Sequence, residues 1–449
     1  MLPRETTPGG LDLGRRRTGF DAKDEVRIAS GHPMSVSRRL PATAREHGRD
    51  GVGLPTLDSR TLVPSSVPVP SFRRAGFAAA LAAAPFALAY RFALVYRGRA
   101  GFPRRNPPLI TPADLGMPFE ELTVPAPGTA GLPAWFLPSR GGAPGPGVAL
   151  VHGWESARDR TLPMAQFLTA AGFHCLTVDV RGHGGNPAET LPVSAGEFGA
   201  DALAAFEALI ARPEVTVGAI SGHSMGAIGA ILAGAADDRV AAVVATSSPA
   251  DPYRLTRQTF RLAHLPLPDP IAFPLAWLTT RVYLRPRGHR VGTISAATAL
   301  TAHDRPILLV HGDADDVVPI VHLERLVRTA AKSGRRIESL VIAGGHHSWL
   351  YEFEEYRRAV AGFLAGALGG PYSPAEAADR AAAVRAERLP AGEALFEAVA
   401  AEPGGFRTLA GVAMPNRRRA AAPKADVTVD TPAVAAPAGP PDLAAEAAS

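Results

Sequence analysis

The residues that could do chemistry lie in four short segments, each rich in glycine and each following an apolar run. Gly222-His223-Ser224-Met225-Gly226 follows the apolar run 215–220 and precedes the helix-prone stretch 227–236. A serine held between two glycines at a strand-to-helix turn is raised above a sheet, with helix N–H groups beneath it. The glycines let strand and helix approach closely. His152-Gly153-Trp154 follows the apolar run 148–151. An acyl-transfer site needs two N–H donors aimed at a developing oxyanion, and the N–H groups of Met225 and Trp154 are the candidates. His311 to Pro319 offers three aspartates, Asp313, Asp315 and Asp316. One could orient a histidine and balance its charge; otherwise the segment is a solvated loop that caps the next helix. His346 and His347 follow the predicted strand 337–342. A histidine is the simplest general base near neutral pH, and two adjacent ones point in different directions, so only one can serve.

The elements that must position these groups alternate. Strands are predicted over 148–151, 174–180, 215–220, 240–245, 306–310 and 337–342. Helices are predicted over 158–171, 194–212, 225–236, 321–332 and 352–368. Ser194 and Glu197 form a capping box for the second helix. Continuous apolar strands alternating with helices mean a mostly parallel sheet covered on both faces, an α/β fold. Two further strands, 119–124 and 132–137, form an antiparallel edge, and 141–147 reads as a loop. Residues 251–303 are too long for a simple connection and read as a helical cap over the site. Its apolar residues Leu265, Leu267, Ile271, Phe273, Leu275 and Trp277 predict an apolar acyl or alcohol group in the substrate.

The chain has 449 residues, enough for one domain of about 250 residues with extensions. Its hydrophobic content of 46% suffices for a globular core. The single cysteine, Cys175, excludes an intramolecular disulfide and lies in an apolar run. No Cys/His cluster has zinc spacing, and no metal or cofactor is expected. Residues 1–110 carry 18 Lys and Arg against 8 Asp and Glu; the remainder carries 29 against 34. The basic character therefore belongs to the N-terminal part, which argues against a nucleic-acid-binding core and permits contact with anionic lipid. Residues 1–72 lack periodicity and read as disordered, with Met34 an alternative start. Residues 73–99 form an apolar helix flanked by arginines. It reads as a membrane anchor, a helix packed on the body, or a misplaced signal peptide. The chain is expected at a membrane or in the cytoplasm rather than secreted. The extension 370–449 reads as partly helical, then disordered from Pro415. Oligomeric state is not legible.

Together, the elbow at Ser224, the His152-Gly153-Trp154 loop, Asp179-Val180-Arg181-Gly182-His183-Gly184, and His311-Gly312 with Asp315 and Val318-Pro319 resemble the α/β-hydrolase superfamily. The likeness spans residues 117–369 and is nearest to serine-aminopeptidase-like and lysophospholipase-like esterases. It implies an α/β-hydrolase fold with a helical cap, and a triad of Ser224, Asp315 and His347, with His346 in reserve. Trp154 and Met225 would form the oxyanion hole. The expected activity is cleavage of a small-molecule carboxylic ester, thioester or amide through an acyl-enzyme. Thioesterase, acyltransferase or cofactor-free haloperoxidase chemistry on the same fold is the alternative, with a non-catalytic binding module behind them.

Overall fold

The computed structural model of the chain describes residues 72–142, 144–263, 265 and 267–385. The disorder expected over 1–71 and after Pro415, and the helix expected beyond 386, lie outside the described residues. Eight strands form one sheet: β1 (Glu120–Val124), β2 (Leu132–Leu137), β3 (Gly145–Val151), β4 (His174–Val178), β5 (Val215–His223), β6 (Val240–Thr246), β7 (Ile307–Gly312) and β8 (Glu338–Ile342). Their order is β1-β2-β4-β3-β5-β6-β7-β8. β1 and β2 pair antiparallel, and β2 runs antiparallel to β4; the remaining neighbours are parallel. This is the α/β-hydrolase architecture that the sequence implied.

The helices are α1 (Phe72–Ala100), α2 (Leu162–Ala170), α3 (Ala195–Ile210), α4 (Met225–Ala236), α5 (Pro252–Leu262), α6 (Asp269–Leu284), α7 (Ala296–Ala299), α8 (Val321–Lys332), α9 (Glu354–Leu368) and α10 (Pro374–Ala382). Ser194 caps α3: its N–H and hydroxyl both donate to Glu197, at 2.8 and 2.7 Å. Two of the boundaries that differ from the sequence reading have a local cause. β3 begins at Gly145, inside the expected loop, because the Gly145 N–H finds the Glu214 carbonyl at 2.9 Å. The stretch 158–161 is a 3-10 turn rather than helix, because the Arg158 N–H donates to Asp179 at 2.7 Å.

Side chains alternate across the central strands, so each strand feeds two cores. Ile220 of β5 packs on the side of Phe198, Phe206 and Ile231, while Ala219 packs with Phe167, Tyr356 and Leu364. Cys175 is fully buried, and burial pushes its thiol pKa up. Between β6 and β7 the chain inserts α5 to α7, the segment read from the sequence as a cap. The C-terminal end of α1 packs on this cap, with Phe92, Tyr96 and Phe260 in one cluster.

The turn after β4 is tied to α3 by a buried ion pair. Arg181 donates to Asp201 from its backbone N–H, Nε and guanidinium, at 2.8, 3.0 and 2.5 Å. Removing one partner leaves the other charge buried and alone, a loss of about 3–5 kcal/mol. Asp201→Ala is therefore expected to lower the urea unfolding midpoint by that equivalent; an unchanged midpoint would contradict the role.

Candidate active site

The four segments converge at the carboxyl ends of β3, β5, β7 and β8, where open α/β sheets bind their ligands. Ser224 occupies a strained backbone conformation, φ 55° and ψ −116°, between β5 and α4. Its N–H donates to the Thr246 carbonyl at 2.9 Å, which fixes the turn to β6. The turn closes only because its flanks lack side chains. A Cβ at Gly222 would lie 2.1 Å from the Gly226 carbonyl oxygen, and one at Gly226 would lie 2.3 Å from that of Val151.

His347 is buried, and its Nε2 lies 3.1 Å from Ser224 Oγ. Its Nδ1 lies 2.8 Å from Asp315 Oδ2, so Nδ1 carries the proton and Nε2 is free to accept one. Burial raises the Asp315 pKa, but hydrogen bonds from His347 and from the Val318 N–H outweigh it and hold the carboxyl low. The other two aspartates are exposed. Asp313 accepts from the Gly344 N–H at 2.7 Å and so ties the acid loop to the histidine loop. Asp316 uses its backbone carbonyl to accept from Gln258 of the cap at 3.1 Å. His346 is exposed and points away.

Met225 is the first residue of α4, so its N–H has no partner within the helix. The loop carrying Trp154 lies directly against the elbow, since a Cβ at Gly153 would stand 3.2 Å from Ser224 Cβ. The Trp154 ring packs edge-on to His183 with centroids 5.1 Å apart, and both rings contact Phe198.

Four residues play supporting roles that the sequence reading did not assign. His223 Nε2 donates to the His347 carbonyl at 2.7 Å, and Ser247 Oγ donates to the same oxygen at 3.2 Å. His311 Nε2 donates to the Val318 carbonyl at 2.6 Å and lies 3.4 Å from Asp315 Oδ2. His152 Nε2 accepts from the Val180 N–H at 3.0 Å and shapes the Trp154 loop. A histidine at or beside the end of β3, β5 and β7 was the available signal for three of them.

One expectation about the cap is corrected. Ile271, Phe273 and Trp277 are exposed on its outer surface, while Leu265, Leu267 and Leu275 pack toward Tyr96 and Phe260. The cause is α1, which occupies the side of α6 that those leucines face. None of the six is therefore evidence for the lining of the site.

Burial holds the supporting histidines neutral. His152 and His223 are each lowered to about 4, by burial first and, for His223, by the neighbouring His347. In the unfolded chain such rings protonate near pH 6.5. Between those values the unfolded state binds more protons, so stability is complete above about pH 6.5 and falls as the pH drops toward about 4. The urea midpoint is expected to fall over that range, less steeply in His152→Gln; a flat profile from pH 7 to 4.5 would contradict it.

The serine aminopeptidase S33 family model matches residues 142–285. An uncharacterized protein of Mycobacterium tuberculosis, found in strains H37Rv and CDC 1551, is 31% identical over 219 residues, covering 48% of this chain and 68% of that one. Among solved structures, an esterase of Pyrococcus furiosus is 21% identical with a TM-score of 0.49, covering 60% of this chain and 98% of that chain. A puromycin-hydrolyzing peptidase of Mycobacterium tuberculosis is 20% identical with a TM-score of 0.46, covering 57% and 40%. The chain is a hydrolase of the α/β-hydrolase superfamily and belongs to its serine aminopeptidase S33 family.

Proposed function

We propose that the protein cleaves a carboxylic ester by nucleophilic acyl transfer from Ser224. The observation that carries this reading is the unbroken line from Ser224 Oγ to His347 to Asp315, at 3.1 and 2.8 Å, with Ser224 at a strained turn. His347 Nε2 takes the hydroxyl proton as Ser224 Oγ attacks the carbonyl carbon. Asp315 holds the tautomer and stabilises the imidazolium. The N–H groups of Met225 and Trp154 receive the oxyanion. His347 returns the proton to the leaving alcohol, and water then releases the acyl group by the same steps.

The family name raises a second reading, release of an N-terminal amino acid. That reaction must bind a protonated amine. The cap segment 251–303 carries seven arginines against two aspartates, Asp251 and Asp269. Asp251 already faces Arg254 and Arg325, and Asp269 faces Arg257. Both carboxylates of the segment are thus already paired with arginine, which favours an ester over an amine. Membrane contact through residues 73–99 belongs to the same proposal. Its support is the apolar stretch of α1 that leaves the body: Phe77 and Phe86 are 71% and 76% exposed.

Ester turnover is expected to fall by about 10⁴-fold or more in Ser224→Ala. Gly153→Ala should displace the Trp154 N–H and lower kcat roughly 10- to 100-fold with little change in KM. p-Nitrophenyl esters with a medium-length acyl chain should outcompete aminoacyl p-nitroanilides. Near-normal ester turnover by Ser224→Ala would overturn the assignment, and preference for the anilides would favour the peptidase reading.

A further inference from the structure

We infer that the free half of α1 and the outer face of α6 form one docking surface for an anionic phospholipid bilayer, and that the substrate reaches Ser224 from that bilayer. The second part rests on the acyl-transfer reading above.

The two helices lie side by side and run in the same direction. Tyr283 Oη donates to the Ala100 carbonyl at 3.1 Å, and Arg97 to the Val282 carbonyl at 3.4 Å. Farther toward the N-termini, Leu275 and Ala276 share the cluster of Phe92 and Tyr96. The N-terminal half of α6 therefore flanks the point where α1 leaves the body. Residues 76–90 of α1 contain no charged side chain. At 1.5 Å per residue they reach about 22 Å, most of a hydrocarbon core of about 30 Å. Beside their root, Ile271 and Trp277 of α6 are 56% and 50% exposed.

Charge selects the occupant. The Arg257 guanidinium lies 4.3 Å from the Phe273 ring centroid, and that of Arg281 lies 4.0 Å from the Trp277 ring. Aromatic rings paired with guanidinium groups suit the headgroup level of a membrane. Among the described residues, four exposed cap arginines, Arg261, Arg281, Arg285 and Arg290, stand outside any ion pair, whereas residues 111–449 as a whole carry a net negative charge. That local positive charge attracts anionic lipid.

The surface is one helix layer from the site. Thr280 of α6 donates to Thr256 of α5 at 2.9 Å, and Gln258 of α5 reaches the Asp316 carbonyl beside Asp315. Docking through α6 therefore holds the cap, and the site it covers, at the lipid surface.

The test uses the full chain with vesicles of phosphatidylcholine alone or mixed with phosphatidylglycerol. The chain should float with the mixed vesicles. Tryptophan quenching by brominated acyl chains should shrink in Trp277→Phe. Ile271→Asp combined with Trp277→Asp should keep the rate on a dissolved short-chain ester, yet slow hydrolysis of a long-chain ester held in the vesicles by about tenfold or more. Quenching unchanged by Trp277→Phe, or an unchanged vesicle rate in the double variant, would overturn the shared surface. A chain that stays in buffer as a dimer would assign the surface to a second copy. Normal flotation and quenching without hydrolysis of either ester would support the docking and overturn the delivery of substrate, because the acyl-transfer reading would then have failed.

Discussion

The backbone at Ser224 is the constraint on which the rest depends. A non-glycine residue at φ 55° and ψ −116° is costly, and it persists only where the surroundings over-determine it. Here they do so from three sides. β3 presses its carbonyls against Gly226, α4 closes against Gly222, and β6 accepts the Ser224 N–H. The parallel sheet thus serves as a jig. Its central strands end level with one another, so the loops that follow β3, β5, β7 and β8 meet at one serine.

The histidine loop is held with similar redundancy. His223 and Ser247 both grip the His347 carbonyl, and Asp313 pins the Gly344 N–H. His347 is therefore fixed by its backbone as well as by its ring, and the fixing groups come from β5, the residue after β6 and the loop that carries Asp315. His311 performs a like service for Asp315. Burial keeps these imidazoles neutral. The site and the acid sensitivity of the fold thus share one physical cause, the desolvation of histidines at strand ends.

Much of this was legible in the sequence because the site lies on regular elements. Apolar runs of strand length marked β3 to β8 through periodicity alone, and short motifs marked their ends. The choice of Asp315 over its neighbours came from the family pattern; the reason lies in space, where Asp313 binds the Gly344 N–H and Asp316 is exposed. The supporting roles of His223 and Ser247 could not be read, since each depends on a contact with the distant His347 loop, and that of His311 depends on how the acid loop folds back on its own strand. The cap was the weakest reading. Its apolar residues pointed to a substrate pocket, but α1 takes one face of α6 and the other faces outward. Which face of a lone helix is buried depends on its neighbours, and α1 lies more than 150 residues away in the chain.

On the proposed reading, the paired carboxylates of the cap and its exposed apolar and aromatic residues suit an ester at a lipid surface better than an amine. The most direct test of the central claim is covalent labelling of the full chain with a fluorophosphonate, followed by peptide mapping by mass spectrometry. An activated serine should give a single adduct at Ser224, abolished in His347→Ala. A folded protein that takes no label, or takes it elsewhere, would contradict the assignment of Ser224 as the nucleophile.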